Sequence, residues 1–205
     1  NIAFSSVARA AIMRDPKFQG GEYEDGDGPD VGLAVARMMA HITYLSDAGM
    51  QQRFGRRRRD GATAMTIGSA AEWLETTFEV ESYLDHQGTS FLGRFDALTY
   101  LWMTRVMDFF EPFADSAAVA TSLAAQPGAH QLVLSFNSDW RFSTSHSAGI
   151  VRELRAAGGA NVCFRELSSI HGHDAFLLPS EEYEQTVRAF LAGEPVPGAE
   201  PVHDH

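Results

Sequence analysis

A single cysteine, Cys163, stands in the 205 residues. An intrachain disulfide is therefore excluded, and so is a zinc site built on cysteines. Long apolar runs are missing too: no stretch reaches the ~18 consecutive apolar residues of a membrane span. Positive charge is scarce, with 16 Lys and Arg against 27 Asp and Glu and a net charge of −11. A surface of that sign repels a phosphate backbone, which argues against nucleic-acid binding. The opening NIAFSSVARAAIMRD has no basic segment followed by an apolar run, so it does not read as a secretory signal. It also lacks an initiator Met and begins in mid-helix pattern, so a longer natural chain is expected. Together these features place the protein in the cytoplasm, without a membrane partner.

What is present is enough for a core, since 44% of the residues are hydrophobic. The one basic cluster, Arg56-Arg57-Arg58-Arg59, is either a phosphate-binding patch or a solvated helix end, and the second reading is preferred. Cys163 lies in the apolar-rich run NVCFREL and is expected as a small buried hydrophobe.

Two regions differ in pattern. Residues 1–128 read as mostly helical. A helix covers 3–14, and DGDGPD (25–30) is a loop. The next segment sets Val31, Val35, Met38, Met39, Ile42 and Leu45 at helical spacing. Residues 60–77 are small, polar and irregular, read as a loop with a helical turn. FEVESYLDHQGTSFLGRF holds a helix broken near Gly88. Asp96 caps the helix LTYLWMTRVMDFF, and Pro112 follows its end.

Residues 129–193 read β-α-β-α. HQLVLSF (130–136) is a buried strand. A helix over 144–157 starts at Thr144 or Ser145, carries Ile150, Val151 and Leu154 on one face, and stops at Gly158-Gly159. NVCFREL is the second strand and IHGHD a loop. Ser180 caps a last helix whose apolar face is Tyr183, Val187, Phe190 and Leu191. The Pro/Gly-rich tail 194–205 is expected to be disordered. A β-α-β unit makes a parallel pair. Two strands alone rarely make a stable sheet, so part of the sheet is expected elsewhere.

Sites in open α/β sheets form beyond the carboxyl ends of the strands. There the first strand is followed by Asp139 and the second by His171, His173 and Asp174. Metal chelation, a catalytic base and a plain surface turn are all open for that histidine pair. The order acid then histidine matches the last two members of a Ser…Asp…His triad. In that arrangement a carboxylate holds the imidazole so that its other nitrogen can take a proton. The nucleophile motif G-x-S-x-G is absent. Gly88-Thr-Ser90-Phe-Leu-Gly93 is one residue too long, and Ser135, Ser138 and Ser143 lack elbow glycines.

Several stretches carry more than spacing: NIAFSSVARAAI (1–12), ARMMAHITYLSD (36–47), FGRRRR (54–59), FEVESYLDHQGTSFLGRFDALTYLWMTRVMDFF (78–110), SFNSDWRF (135–142) and HGHDAFLL (171–178). In this order they resemble the C-terminal part of the homoserine O-acyltransferases, members of the α/β-hydrolase superfamily. The resemblance implies an α/β fold: the last two parallel strands of a hydrolase core with their helices, preceded by a mostly helical lid used for homodimerisation. It implies Asp139 and His173 as catalytic residues, Arg9 as the binder of the substrate carboxylate, and Asp174 as the contact of its ammonium. It implies acyl transfer in methionine biosynthesis, from acetyl-CoA or succinyl-CoA to homoserine or serine, through an acyl-serine on an upstream segment that this chain does not contain. No resident cofactor or metal is implied, and acyl-CoA is a co-substrate. The 205 residues alone are then expected to be inactive. A contrasting reading is a non-catalytic helical dimerisation module with a vestigial core, and hydrolysis is a third.

Overall fold

The computed structural model describes residues 1–24, 26–60 and 78–199. Residues 61–77, nearly all of the segment expected as a loop with a helical turn, and residues 200–205, with His203 and His205, lie outside them. The chain divides into two compact units, the described residues within 1–43 and 50–110 making one and those within 44–49 and 111–199 the other. Among them no helix is long and apolar enough to cross a membrane.

The first unit is built on helices. They are α1 (Ile2–Met13), α2 (Asp30–Tyr44), α3 (Asp47–Arg53), which begins on the segment belonging to the other unit, α4 (Glu79–Leu92) and α5 (Ala97–Phe109). Asp15 ties the start together: Oδ1 accepts from Lys17 N at 2.9 Å and Oδ2 from Gly32 N at 2.8 Å. Asp96 caps α5 as expected, accepting from Thr99 N at 2.8 Å. The core is Ala8, Ile12, Leu33, Ala36, Phe91 and Ala97, with Met39, Tyr100 and Leu101 packed around it.

This core differs from the one the aliphatic spacing of α2 points to. Val31, Val35 and Ile42 are exposed, and the helix instead buries Gly32, Leu33 and Ala36. Small residues decide the packing. A Cβ at Gly32 would lie 2.5 Å from the Ala11 carbonyl oxygen, and one at Gly88 would lie 3.1 Å from that of Ala34. Gly88 is accordingly no helix break: α4 runs through it without interruption, because the missing side chain lets α4 approach α2 closely.

The second unit contains α6 (Ser116–Ala124), β1 (Gln131–Phe136), α7 (Thr144–Ala156), β2 (Val162–Leu167), a 3-10 helix over Gly172–Leu177 where a loop is expected, and α8 (Glu181–Leu191). The strands pair in parallel, with Gln131 opposite Val162 and Phe136 opposite Leu167. Alternation sends Val133, Val162 and Phe164 to one face, against Val151 and Leu154 of α7. Leu134, Phe136 and Leu167 face the other way, against Ala175 and Tyr183 of α8. One helix therefore covers each face.

Local details shift slightly from expectation. The N-cap of α7 is Ser143, one residue early. Ile150 and Leu191 are exposed rather than buried, and Cys163 is half-buried. Ser180 caps α8 through Tyr183 N at 3.3 Å.

Candidate active site

Strand β1 ends at Phe136 and β2 at Leu167, side by side, so the loops that follow leave the sheet at one edge. Asn137 and Ser138 bind the second loop directly. Asn137 Oδ1 accepts from Ser169 N at 3.0 Å, and Ser138 Oγ accepts from Gly172 N at 3.0 Å. These bonds bring Asp139 and His173 together.

The Asp139 carboxylate is 7% exposed. Its Oδ1 accepts two backbone amides, Arg141 N at 3.0 Å and Phe142 N at 2.8 Å. Its Oδ2 lies 2.8 Å from His173 Nδ1. An ionised carboxylate only accepts, so Nδ1 carries the proton and Nε2 presents its lone pair. Nε2 makes no hydrogen bond among the described residues. The imidazole sits among rings, with centroids 4.6 Å from Phe142, 5.3 Å from Tyr44 and 5.6 Å from Phe176. Such walls thin the water around a proton-accepting nitrogen. The arrangement can take a proton from a hydroxyl placed at Nε2 and return it.

The other expected residues separate. Asp174 lies beside His173 in the first turn of the 3-10 helix. His171 is exposed and takes no part in the carboxylate contact. Among the described residues no group of three or more His, Cys, Asp or Glu is arranged to hold a metal. Of the serines named above, Ser138 holds Gly172, Ser143 bonds Ser145 Oγ at 2.8 Å, Ser90 lies within α4, and Ser135 lies in β1 with its hydroxyl buried and unpartnered.

Arg9 belongs to the helical unit. It is buried, at 8% exposure, and its Nη2 donates to Asp108 Oδ2 at 2.6 Å. Its Nη1 is buried without a hydrogen-bond partner. Sequence reasoning missed Asp108, which sits at the end of a helix far along the chain. It also missed Arg37 of the same unit, whose buried Nε has no partner while the guanidinium lies 4.8 Å over Phe91.

No family model matches the chain. Curated relatives do. The chain is 50% identical over 198 residues to a homoserine O-succinyltransferase of Magnetococcus marinus, covering 93% of this chain and 48% of that protein. It is 49% identical over 195 residues to a homoserine O-acetyltransferase of Gluconobacter oxydans, covering 94% of this chain and 49% of that one. The chain thus spans about half the length of the curated relatives it matches. Among solved structures it superposes on esterase E22 with a TM-score of 0.71 at 17% identity, covering 93% of this chain and 50% of that one. It superposes on the homoserine O-acetyltransferase of Bacillus anthracis with a TM-score of 0.62 at 18% identity, covering 84% and 43%. The fold is that of part of an α/β-hydrolase, with two of its parallel strands.

Proposed function

We propose that this homologue of the homoserine O-acyltransferases supplies the acid–base half of an acyl-transfer site, acting in methionine biosynthesis in the cytoplasm. The observation that carries this reading is the Asp139–His173 hydrogen bond of 2.8 Å at the strand ends, with Nε2 left open. The nucleophile serine comes from a segment outside these 205 residues.

Each half-reaction uses the same nitrogen. His173 Nε2 takes the proton of the serine hydroxyl as the serine oxygen bonds to the acyl carbon of acetyl-CoA. The carbon–sulfur bond then breaks, and the CoA sulfur leaves with the proton from Nε2. Next the homoserine hydroxyl gives its proton to Nε2 and attacks the acyl-serine, and the serine oxygen leaves with that proton. Asp139 stabilises the imidazolium in both halves. The relatives carry both acetyl and succinyl names, so the acyl donor is proposed as acetyl-CoA with succinyl-CoA as the competing outcome.

Arg9 is proposed to bind the homoserine carboxylate and Asp174 its ammonium. The unpartnered Nη1 of Arg9 supports its part, and the unpartnered Nε of Arg37 marks that residue as a second anchor to be compared with it. A carboxylate suits a guanidinium fork. A homodimer is proposed through α5 and its C-cap Phe110, which together expose Trp102, Met103, Val106, Phe109 and Phe110.

The test joins the upstream half to this chain and follows CoA release with homoserine. Acyl transfer that is abolished in His173→Ala and depends on acetyl-CoA is expected. Transfer with succinyl-CoA alone overturns the choice of donor, and full activity in His173→Ala overturns the site.

A further inference from the structure

Residues Tyr44–Gly49 group with the sheet, although the chain on both sides of them packs in the helical unit. They touch both strand-end loops. Trp140, the neighbour of Asp139, donates its Nε1–H to the Leu45 carbonyl at 2.9 Å. Ser46 is 5% exposed and donates its hydroxyl to the Ile170 carbonyl. The same hydroxyl oxygen accepts from Gly49 N at 2.9 Å.

The approach is close enough to demand glycine on both sides. Gly172, with φ +66°, immediately precedes His173, and a Cβ there would lie 2.6 Å from both Ser46 N and the Tyr44 carbonyl oxygen. A Cβ at Gly49 would lie 2.9 Å from the Ile170 carbonyl oxygen. Substitution would force backbone against backbone, which a flexible side chain cannot relieve.

We infer that Ser46 is a positioning residue for His173, and that the Tyr44–Gly49 segment is a strap that fixes the turn carrying the imidazole against the Asp139 loop. This rests on the acid–base reading of Asp139 and His173. The turn is held from one side by Asn137 and Ser138, through Ser169 N and Gly172 N. Those bonds leave the carbonyl side of Ile170 to Ser46. The imidazole itself has one hydrogen bond, to Asp139, so its aim depends on the backbone beneath it. Without the Ser46 hydroxyl, Ile170 O and Gly49 N both lose their partner, and a buried polar group left unpaired favours local rearrangement. An imidazole displaced by about 1 Å is enough to spoil proton transfer.

The test is hydrogen exchange by NMR on the 205-residue chain and its Ser46→Ala variant. Three signals or groups of signals are followed: the ring Nδ1–H of His173, the amide of Gly172, and the amides of β1 and β2. Ser46→Ala is expected to speed exchange of the ring proton and of Gly172 by about tenfold, the scale of a lost hydrogen bond, with the strand amides unchanged. A merely structural role would speed the strand amides equally, and that result overturns the inference. Unchanged exchange at Gly172 overturns it as well. Absence of the ring proton in the unsubstituted chain strikes the acid–base reading instead, and Gly172 still decides whether the strap holds the turn.

Discussion

Asp139 divides its two oxygens between its own loop and His173: Oδ1 takes the amides of Arg141 and Phe142, and Oδ2 meets His173 Nδ1 at 2.8 Å. The same carboxylate therefore shapes a turn and orients an imidazole.

That division sets the outcome of Asp139→Asn. The amide side chain can still offer one oxygen, either to the turn or to the imidazole. An NH2 group aimed at Nδ1 would favour the wrong tautomer and place the proton on Nε2. If the proposed acyl transfer holds, kcat of the chain joined to an upstream half is expected to fall by about 10⁴-fold, the scale of this change in serine–histidine–aspartate sites, with homoserine KM little changed. Steady-state kinetics check it, and a loss below tenfold would show that the carboxylate is a turn-former only.

Two glycine-to-alanine changes should have opposite signs. Gly32→Ala drives a methyl to 2.5 Å from the Ala11 carbonyl oxygen and 2.6 Å from Ile12 Cα. The backbone must move, costing about 1–3 kcal/mol, which outweighs the ~0.5–1 kcal/mol that alanine gains over glycine inside a helix. Gly93 ends α4 at φ −74° with no neighbouring atom within 4 Å of the new methyl. Gly93→Ala is expected to stabilise by about 0.4–1 kcal/mol through the unfolded chain. Urea titration of the two variants reads both.

His41 should make the helical unit sensitive to acid. Partial burial, followed by the charges of Arg37 and Arg53, lowers its pKa from 6.5 to about 4. Its Nδ1 lies 3.1 Å from the Tyr83 hydroxyl, and its Nε2 is buried without a partner. The depressed value means that the unfolded chain binds the proton more readily. Stability from this group is complete above pH 6.5 and is lost as the pH falls toward 4. Thermal melts across that window should fall less steeply for His41→Asn than for the unsubstituted chain, and equal slopes would remove His41 from the account.

The outer face of α5 offers a test of the dimer. Trp102 is 69% exposed in the isolated chain. If the face meets a second copy, Trp102→Ala should weaken association by about 2 kcal/mol or more, the scale of an aromatic anchor. Sedimentation over a range of concentrations measures it. A chain that stays monomeric before substitution disproves that interface.

The strands, the parallel pairing and the positions of Asp139 and His173 were legible because each depends on local signals: a short apolar run, a helix of matching period, and a polar loop at a strand end. Asp96 and Ser180 were legible as caps for the same reason. The face of α2 was not. Its large aliphatics Val31, Val35 and Ile42 point outward, while closeness at Gly32 and Gly88 chooses what is buried. Pattern reading weighs big residues, and here the absence of a side chain decides. The break after Tyr44 and the Asp108 partner of Arg9 were also hidden, since both depend on residues about a hundred or more positions away along the chain.

The bond from Ser46 to the Ile170 carbonyl joins residues 124 positions apart. Closing so large a loop carries an entropic cost that nearby contacts do not. The β-α-β unit can draw Asp139 near His173 early, through short-range contacts, but the turn beneath the imidazole must wait for a segment from the first quarter of the chain. Contacts of high sequence separation are the slow ones in folding. The histidine's final aim is thus expected to be set later than the pairing of β1 with β2, since it waits on the longer loop.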